Sequence, residues 1–183
     1  MYKIKYFANY INGDMMKKIF YFLLIIISLV GCSLNNTPSS KVEELFGKYN
    51  MIDKDIEADI NSVVDTNTGL TDKQKDRYKE VLKKQYKNLS YEIKDETIDG
   101  NKDVVKVEIE VIDYKKAIKE VENKYTTNDY TLEEFNEEKL DKLENYNEKV
   151  VYTLELNLTK DKDGNWSLDA LPNNDIKKIQ GMF

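Results

Sequence analysis

The sequence predicts an α+β domain in which N-terminal helices pack on a four-stranded antiparallel sheet. Two observations predict this class: apolar residues recur at helical intervals as far as Tyr86, and from Leu89 onward they alternate with polar residues. The alternation comes in two pairs of segments, and a second stretch of helical periodicity separates the pairs. Because an antiparallel sheet commonly buries one face, we expect the helices to cover that face and to form the core with it.

Helices come first in the predicted order. Ser40 with Glu43, and Thr71 with Gln74, have the spacing of capping boxes at helix starts. The first box opens either one helix or two stacked helices, with a break expected near residues 47–50. The apolar faces consist of Val42, Leu45, Phe46, Tyr49, Ile52, Ile56, Ile60 and Val63 in the first segment, and of Tyr78, Val81, Leu82 and Tyr86 in the second.

Two hairpins follow, and a helical insertion separates them. The strands are predicted at residues 89–93, 105–111, 150–158 and 166–170, with turns at 99–101 and 160–165. Between the hairpins, Asp113 can cap one helix, and Thr131 with Glu134 can cap another. A last short helix is expected at residues 174–180, before Gly181.

This order of elements resembles the small cystatin-like or NTF2-like domains of many lipoproteins of Gram-positive bacteria. The resemblance spans roughly Lys41 to Phe183 and is carried by Tyr86–Asp95, Ile98–Val111 and Gly164–Leu168. It implies a sheet that curves into a cone. NTF2-like domains include enzymes as well as binders of ligands and proteins in their conical pocket, so the resemblance predicts a fold and leaves the function open.

The N-terminal residues have the anatomy of a secretory signal. Lys17-Lys18 precedes an apolar run of twelve residues, 19–30, that contains one serine. As a helix this run would be roughly 18 Å long, against roughly 30 Å of membrane hydrocarbon, so it is short for a transmembrane anchor. We therefore expect residues 1–31 to be a signal peptide, with Met15 or Met16 as an alternative start.

Leu29-Val30-Gly31-Cys32 resembles the bacterial lipobox at all four positions. The resemblance implies that the Cys32 thiol receives a diacylglyceryl group as a thioether and that the chain is cut between Gly31 and Cys32. Two acyl chains suffice for stable anchoring, at about 0.8 kcal/mol per buried CH₂. Cys32 is the only cysteine in the chain, so it cannot form an internal disulfide. A plain secretory signal and an uncleaved buried helix are the alternative interpretations.

The predicted domain organisation follows from this cleavage point. Residues 32–40 would be the lipidated cysteine with a short polar tether, and residues 41–183 would be a single α+β domain. Residues 1–31 carry four lysines and one aspartate, so the rest of a chain of net charge −6 carries −9, with Arg77 as its one arginine. This charge argues against binding to nucleic acid or to anionic lipid headgroups.

The composition also restricts catalysis. The chain has no histidine, which excludes Ser-His-Asp and Cys-His nucleophile systems and every metal site that needs imidazole. No glycine-rich phosphate loop is present. We therefore expect no catalytic residue, no metal and no cofactor, while acid–base hydrolysis by carboxylates stays open.

Four groups of residues could nevertheless carry chemistry. Each also has a structural interpretation: a solvated strand face, a hairpin turn, a wet helix surface and an aromatic core. The groups are Glu108 with Glu110, the weakly calcium-loop-like 161–165, the acidic run Glu133, Glu134, Glu137 and Glu138, and the tyrosines at 49, 78, 86, 91, 114 and 152.

The sequence thus predicts a lipoprotein that is anchored on the outer face of the cell membrane through acylated Cys32. Its leading hypothesis is a non-catalytic module that binds an envelope protein, a peptide or a small ligand through the concave face of the sheet. The alternative is an NTF2-like acid–base enzyme with a carboxylate or tyrosine buried in a pocket. A third hypothesis is an accessory role without a pocket.

Overall fold

The computed structural model describes residues 36–125 and 131–183. In these residues the chain forms six helices and four strands. They are α1 Pro38–Met51, α2 Lys54–Asp65, α3 Asp72–Lys87, β1 Ser90–Asp99, β2 Lys102–Ile112, α4 Tyr114–Tyr125, α5 Leu132–Asn145, β3 Lys149–Lys160, β4 Trp166–Leu168 and α6 Asn173–Ile179. The predicted signal peptide, with Gly31 and Cys32, lies outside the described residues.

The first helical segment is two helices, as one of the two alternatives predicted; the expected start at Ser40 was wrong, and the break lies two residues beyond the expected range. Helix α1 begins at Pro38, so Ser40 lies inside the helix and cannot cap it. Proline suits the first helical turn because its missing N–H would have no partner there. The break comes at Ile52, whose φ of 51° ends α1, and not at residues 47–50. The Asp53 carboxylate then accepts the N–H groups of Asp55 and Ile56 and starts α2.

The other predicted helix starts are confirmed. Thr71 with Gln74 at α3, and Thr131 with Glu134 at α5, form reciprocal capping boxes. At α4, the Asp113 carboxylate accepts the N–H of Lys116 at 2.9 Å. These caps satisfy backbone donors that the first turn of a helix leaves without partners.

The sheet is antiparallel throughout, with the order β1-β2-β3-β4. Both predicted hairpins are confirmed, and β2 pairs with β3 along residues 102–112 and 149–159, which joins the hairpins into one sheet. The insertion α4–α5 connects these two central strands. The predicted α+β class, with helices on an antiparallel sheet, is therefore confirmed.

The main core lies between one face of the sheet and the helices α1, α2, α3 and α6. Its strand residues are Val105, Val107, Ile109, Val111, Leu154, Leu156 and Leu158, and its helix residues include Val42, Phe46, Ile56, Ile60, Val64, Leu82, Tyr86 and Ile179. A second cluster unites α3, α4, α5 and the end of β2 through Val81, Ile112, Tyr114, Ala117, Leu143 and Tyr146. Tyr78 of α3 packs against both clusters, so α3 connects the sheet layer to the inserted helices.

Candidate functional site

The inner face of the sheet is filled by side chains. Phe46 of α1 is fully buried and stacks on Tyr91 of β1 at a ring-centroid distance of 4.6 Å. Tyr49 and Tyr86 meet edge to face at 4.9 Å, and both are buried. Because the helices pack directly on this face, the concave face that was expected to receive a ligand is part of the core.

The predicted tyrosine group divides into two sets. Tyr49, Tyr86 and Tyr114 are buried, as the core interpretation predicts, and burial raises the pKa of Tyr49 and of Tyr114 above its usual range. Tyr78, Tyr91 and Tyr152 are half-buried at the edges of the core.

The outer face of the sheet carries the predicted strand carboxylates. Lys94 Nζ lies 2.6 Å from Glu92 and 2.8 Å from Glu108, and Lys149 Nζ lies 2.7 Å from Glu110. Of these residues, Glu92, Glu108 and Glu110 line an open depression of about 270 Å³. Their pairing with lysine and their contact with water support the interpretation as a solvated face.

The other two candidate groups are structural. In the β3–β4 turn, the Asp161 carboxylate accepts the N–H groups of Asp163 and Asn165 at 2.9 and 2.8 Å, which confirms the hairpin-turn interpretation. In the acidic run of α5, Glu134 is used in the helix cap and Glu137 binds Arg77 at 2.6 Å. Within the described residues, no group of three or more acidic or thiol side chains has an arrangement that could hold a metal ion.

Asp103 of β2 is a buried carboxylate that sequence analysis missed. It is 2% exposed, on the strand face that Val105 and Val107 share, and neither of its oxygens has a hydrogen-bond partner. Burial, and after it the charge of Glu96, raises the pKa of Asp103. The backbone N–H groups of Val104 and Thr97 offset part of this shift without meeting hydrogen-bond geometry. The charged form of Asp103 therefore destabilises the fold.

Asp103→Asn is expected to stabilise the protein at pH 7 by about 1–2 kcal/mol, because it removes a buried charge. Between the ordinary pKa of 3.8 and the raised folded value, the folded protein keeps a proton that the unfolded chain has lost. The free energy of unfolding of the native chain therefore falls as pH rises through this window, and the gain from Asp103→Asn should vanish near pH 3. Urea unfolding of the variant and of the native chain at pH 7 and at pH 3 measures this difference in the free energy of unfolding.

Asp99→Asn, at an exposed position of the same hairpin, is the control and should change stability by less than about 0.5 kcal/mol at either pH. An equal gain from both variants would mean that general acidity, and not the burial of Asp103, limits stability.

A small cavity lies among α3, α4, α5 and the C-terminal residues. We call it the Lys139 cavity; its volume is about 80 Å³. It is lined by Asn67, Leu70, Tyr78, Ile118, Lys139, Leu140, Leu143 and Met182. The lining is mostly apolar, with a few polar groups, which is the usual composition of a ligand site on a smaller scale.

Helix α5 and the α2–α3 loop position the polar groups of the Lys139 cavity. Asn136 is buried and donates from Nδ2 to the carbonyl of Gly69 at 2.8 Å, which ties the loop to α5. Its Oδ1 accepts from Lys139 Nζ at 3.0 Å. The Gly69 N–H in turn donates to Asn67 Oδ1 at 3.3 Å. These contacts link Asn67 to Lys139 through Gly69 and Asn136.

The cavity was not predicted from the sequence, although α5 carries a signal for it. The apolar face of α5 continues through Leu132, Leu140 and Leu143, and at helical spacing Asn136 and Lys139 interrupt it. Polar residues on the buried side of an amphipathic helix indicate either a structural network or a site. Here the same two residues serve the network and line the cavity.

Comparison with known proteins places the chain near no established family. No family model matches it, and no curated protein matches it. A crystal structure of a proposed lipoprotein (ycdA) from Bacillus subtilis is similar at 17% identity, with a TM-score of 0.43. The match covers 69% of this chain and 45% of the Bacillus chain, so this chain corresponds to less than half of that protein. The resemblance to cystatin-like and NTF2-like domains stays a prediction.

The structure also bears on membrane insertion. Among residues 36–125 and 131–183, none of the helices has both the length and the apolar character that crossing a bilayer requires.

Proposed function

We propose that this protein is an extracytoplasmic lipoprotein, held on the outer face of the cell membrane by a lipid on Cys32. The observation that carries the proposal is Leu29-Val30-Gly31-Cys32, directly after an apolar run of twelve residues and a lysine pair. The thiol is the group that this lipidation requires, and the chain has no second one. Anchoring by two acyl chains would be stable.

The anchor would keep the domain close to the membrane. Five residues separate Cys32 from Pro38, where α1 begins. Even fully extended, this stretch spans roughly 20 Å, at about 3.5 Å per residue. The first turn of α1 is itself fixed, because the N–H of Ser39 donates to the Glu96 carboxylate of β1 at 3.2 Å. The proposed partners are therefore components that lie near the membrane surface.

We further propose a non-catalytic binding or accessory role for the domain. The alternative enzyme needs a carboxylate or tyrosine that is both buried and open to substrate. The strand carboxylates that line the outer-face depression are ion-paired and solvated, and the buried Asp103 lines neither that depression nor the Lys139 cavity. The raised pKa of Tyr49 and of Tyr114 makes proton transfer by either phenol unfavourable at neutral pH.

Cys32→Ala is expected to abolish lipid attachment and to leave the uncleaved precursor. The reason is that the thioether cannot form without the thiol, and the signal peptidase of lipoproteins acts on the lipidated chain. Labelling with a radioactive fatty acid in a Gram-positive host measures attachment, and mass spectrometry of the membrane fraction measures cleavage.

Ser33→Ala is the matched control, since it changes the next residue and keeps the thiol; it should be labelled and cleaved like the native chain. Normal processing of Cys32→Ala would contradict the proposed anchor and favour a plain secretory signal.

A further inference from the structure

The residues that line the Lys139 cavity include hydrogen-bond donors and no acidic group. Asn67 uses its Oδ1 for the Gly69 N–H, which leaves its Nδ2 as a donor. Within the described chain, neither this nitrogen nor the Tyr78 hydroxyl has a hydrogen-bond partner. With the Lys139 ammonium, the residues that line the cavity therefore carry three donor groups.

Within the described residues, Lys139 has no counter-ion. Acidic residues outnumber basic ones by 34 to 28 in this chain, yet within the described residues no carboxylate lies within ion-pair distance of its Nζ. The contacts of Nζ are the Asn136 Oδ1 at 3.0 Å and the Phe135 ring, whose centroid lies at 5.5 Å. Burial lowers the pKa of Lys139, and the charge of Glu122 offsets part of this shift. A half-buried ammonium without an anion is unfavourable, and a bound carboxylate would remove that cost.

The size of the cavity restricts the ligand. Its volume of about 80 Å³ is about half that of a cavity of roughly 150 Å³ that takes up benzene. A carboxylate with one or two further carbons fits this space. The apolar part of the lining, Leu70, Ile118, Leu140, Leu143 and Met182, favours an aliphatic tail over a phosphate or sulfate, whose oxygens would face hydrocarbon on every other side.

We propose that the Lys139 cavity binds a short aliphatic carboxylate, with its carboxylate on Lys139 and Asn67 and its tail against Leu143 and Met182. The ligand is either a free short-chain acid or the C-terminal carboxylate of a peptide, since both present the same chemistry. The inference names a ligand class for the proposed binding role, and it does not depend on the lipid anchor.

Methionine methyl groups provide the test. In the full chain, purified in detergent and ¹³C-labelled at its methionine methyl groups, propionate should shift the Met182 signal in a saturable way. Half-saturation is expected at or below about 5 mM, which is within reach of so small a ligand. Met51 is 74% exposed and does not line the cavity, so its signal is an internal reference that should not move. The Met182→Leu variant assigns the signal.

Charge and site are controlled separately. Propionamide has the shape of propionate without its charge and should bind at least about tenfold more weakly, and Lys139→Met should weaken propionate to the same extent. Lys142→Met is the matched control, because Lys142 lies one turn away on α5 and already pairs with Glu120 at 2.6 Å; it should leave half-saturation within about twofold.

The source of the carboxylate is decided by a second titration. If the site takes peptide C-termini, a short peptide that ends in alanine should bind as tightly as propionate. If the site takes only free acids, the peptide should not bind. No saturable Met182 shift with either ligand, equal binding of propionate and propionamide, or undiminished binding by Lys139→Met would each overturn the proposal. The Met182 shift does not depend on acylation of Cys32. The carboxylate proposal can therefore fail while the lipoprotein proposal holds, and the lipoprotein proposal can fail while the carboxylate proposal holds.

Discussion

Gly181→Ala is expected to destabilise the protein by about 3 kcal/mol or more. Gly181 follows α6 with a φ of 68°, and its N–H and that of Met182 bond to the carbonyls of Lys178 and Lys177 at 2.9 and 2.8 Å. This is the Schellman arrangement that favours glycine. An added Cβ would lie 2.0 Å from the carbonyl oxygen of Ile112, so the end of α6 would have to move away from β2.

The expected size is the sum of two effects. Left-handed backbone costs a residue with a Cβ about 1–2 kcal/mol, and forcing atoms into a packed interior costs about 1–3 kcal/mol more. Gly100→Ala separates them, because Gly100 has a similar φ of 63° and nothing within 4 Å of its added Cβ. It should therefore lose only about 1 kcal/mol. Urea unfolding followed by the fluorescence of the single tryptophan, Trp166, measures both variants. Equal losses would show that the contact with Ile112 relaxes freely.

Local signals in the sequence predicted most of the fold because they act over a few residues. The capping boxes at Thr71 and Thr131, and the alternation along β2 and β3, depend on neighbours within one turn or one pleat. The expected start at Ser40 failed for the opposite reason. Pro38 already starts the helix, and the first turn of α1 is fixed by Ser39 binding Glu96, 57 positions away.

Neither the buried, unpartnered state of Asp103 nor the Lys139 cavity could be predicted from short-range sequence patterns. Asp103 lies an even number of residues from Val105 and Val107 on β2, so the sequence predicts that its side chain points to the same inner face. Its lack of a hydrogen-bond partner depends on the residues that pack over it, which the sequence does not show. The Lys139 cavity needs the α2–α3 loop, three helices and Met182 in contact. Of these elements, only α5 indicates the cavity in its sequence, because it carries polar residues on an apolar face.

The proposed lipobox is a different kind of prediction. Lipidation at Leu29-Val30-Gly31-Cys32 is proposed from the local sequence alone, and the folded domain adds nothing to that proposal. The anchor and the domain are therefore separate predictions. The anchor depends on one thiol, whereas the domain depends on packing between elements distant in the sequence.

Gln85→Met is expected to cost about 2–4 kcal/mol. Gln85 of α3 is fully buried, and its amide donates to the carbonyl of Ile112 and accepts the Ile112 N–H, both at 3.0 Å. Strand β1 begins at Ser90 opposite Glu110, so it ends before it could pair with Ile112. The side chain of Gln85 takes the place of the missing strand residue. Methionine keeps the length and leaves two buried backbone groups unpaired, each worth about 1–3 kcal/mol.

Two measurements test this account. Urea unfolding should show the loss for Gln85→Met and less than about 0.5 kcal/mol for Lys79→Met, a matched change elsewhere on α3. Amide hydrogen exchange should show faster exchange at Ile112, while Val107, in the middle of the sheet, changes only as the global stability does. If Ile112 stayed as protected as Val107 in Gln85→Met, its N–H would have another acceptor, and the connection of α3 to the sheet would rest on apolar packing alone.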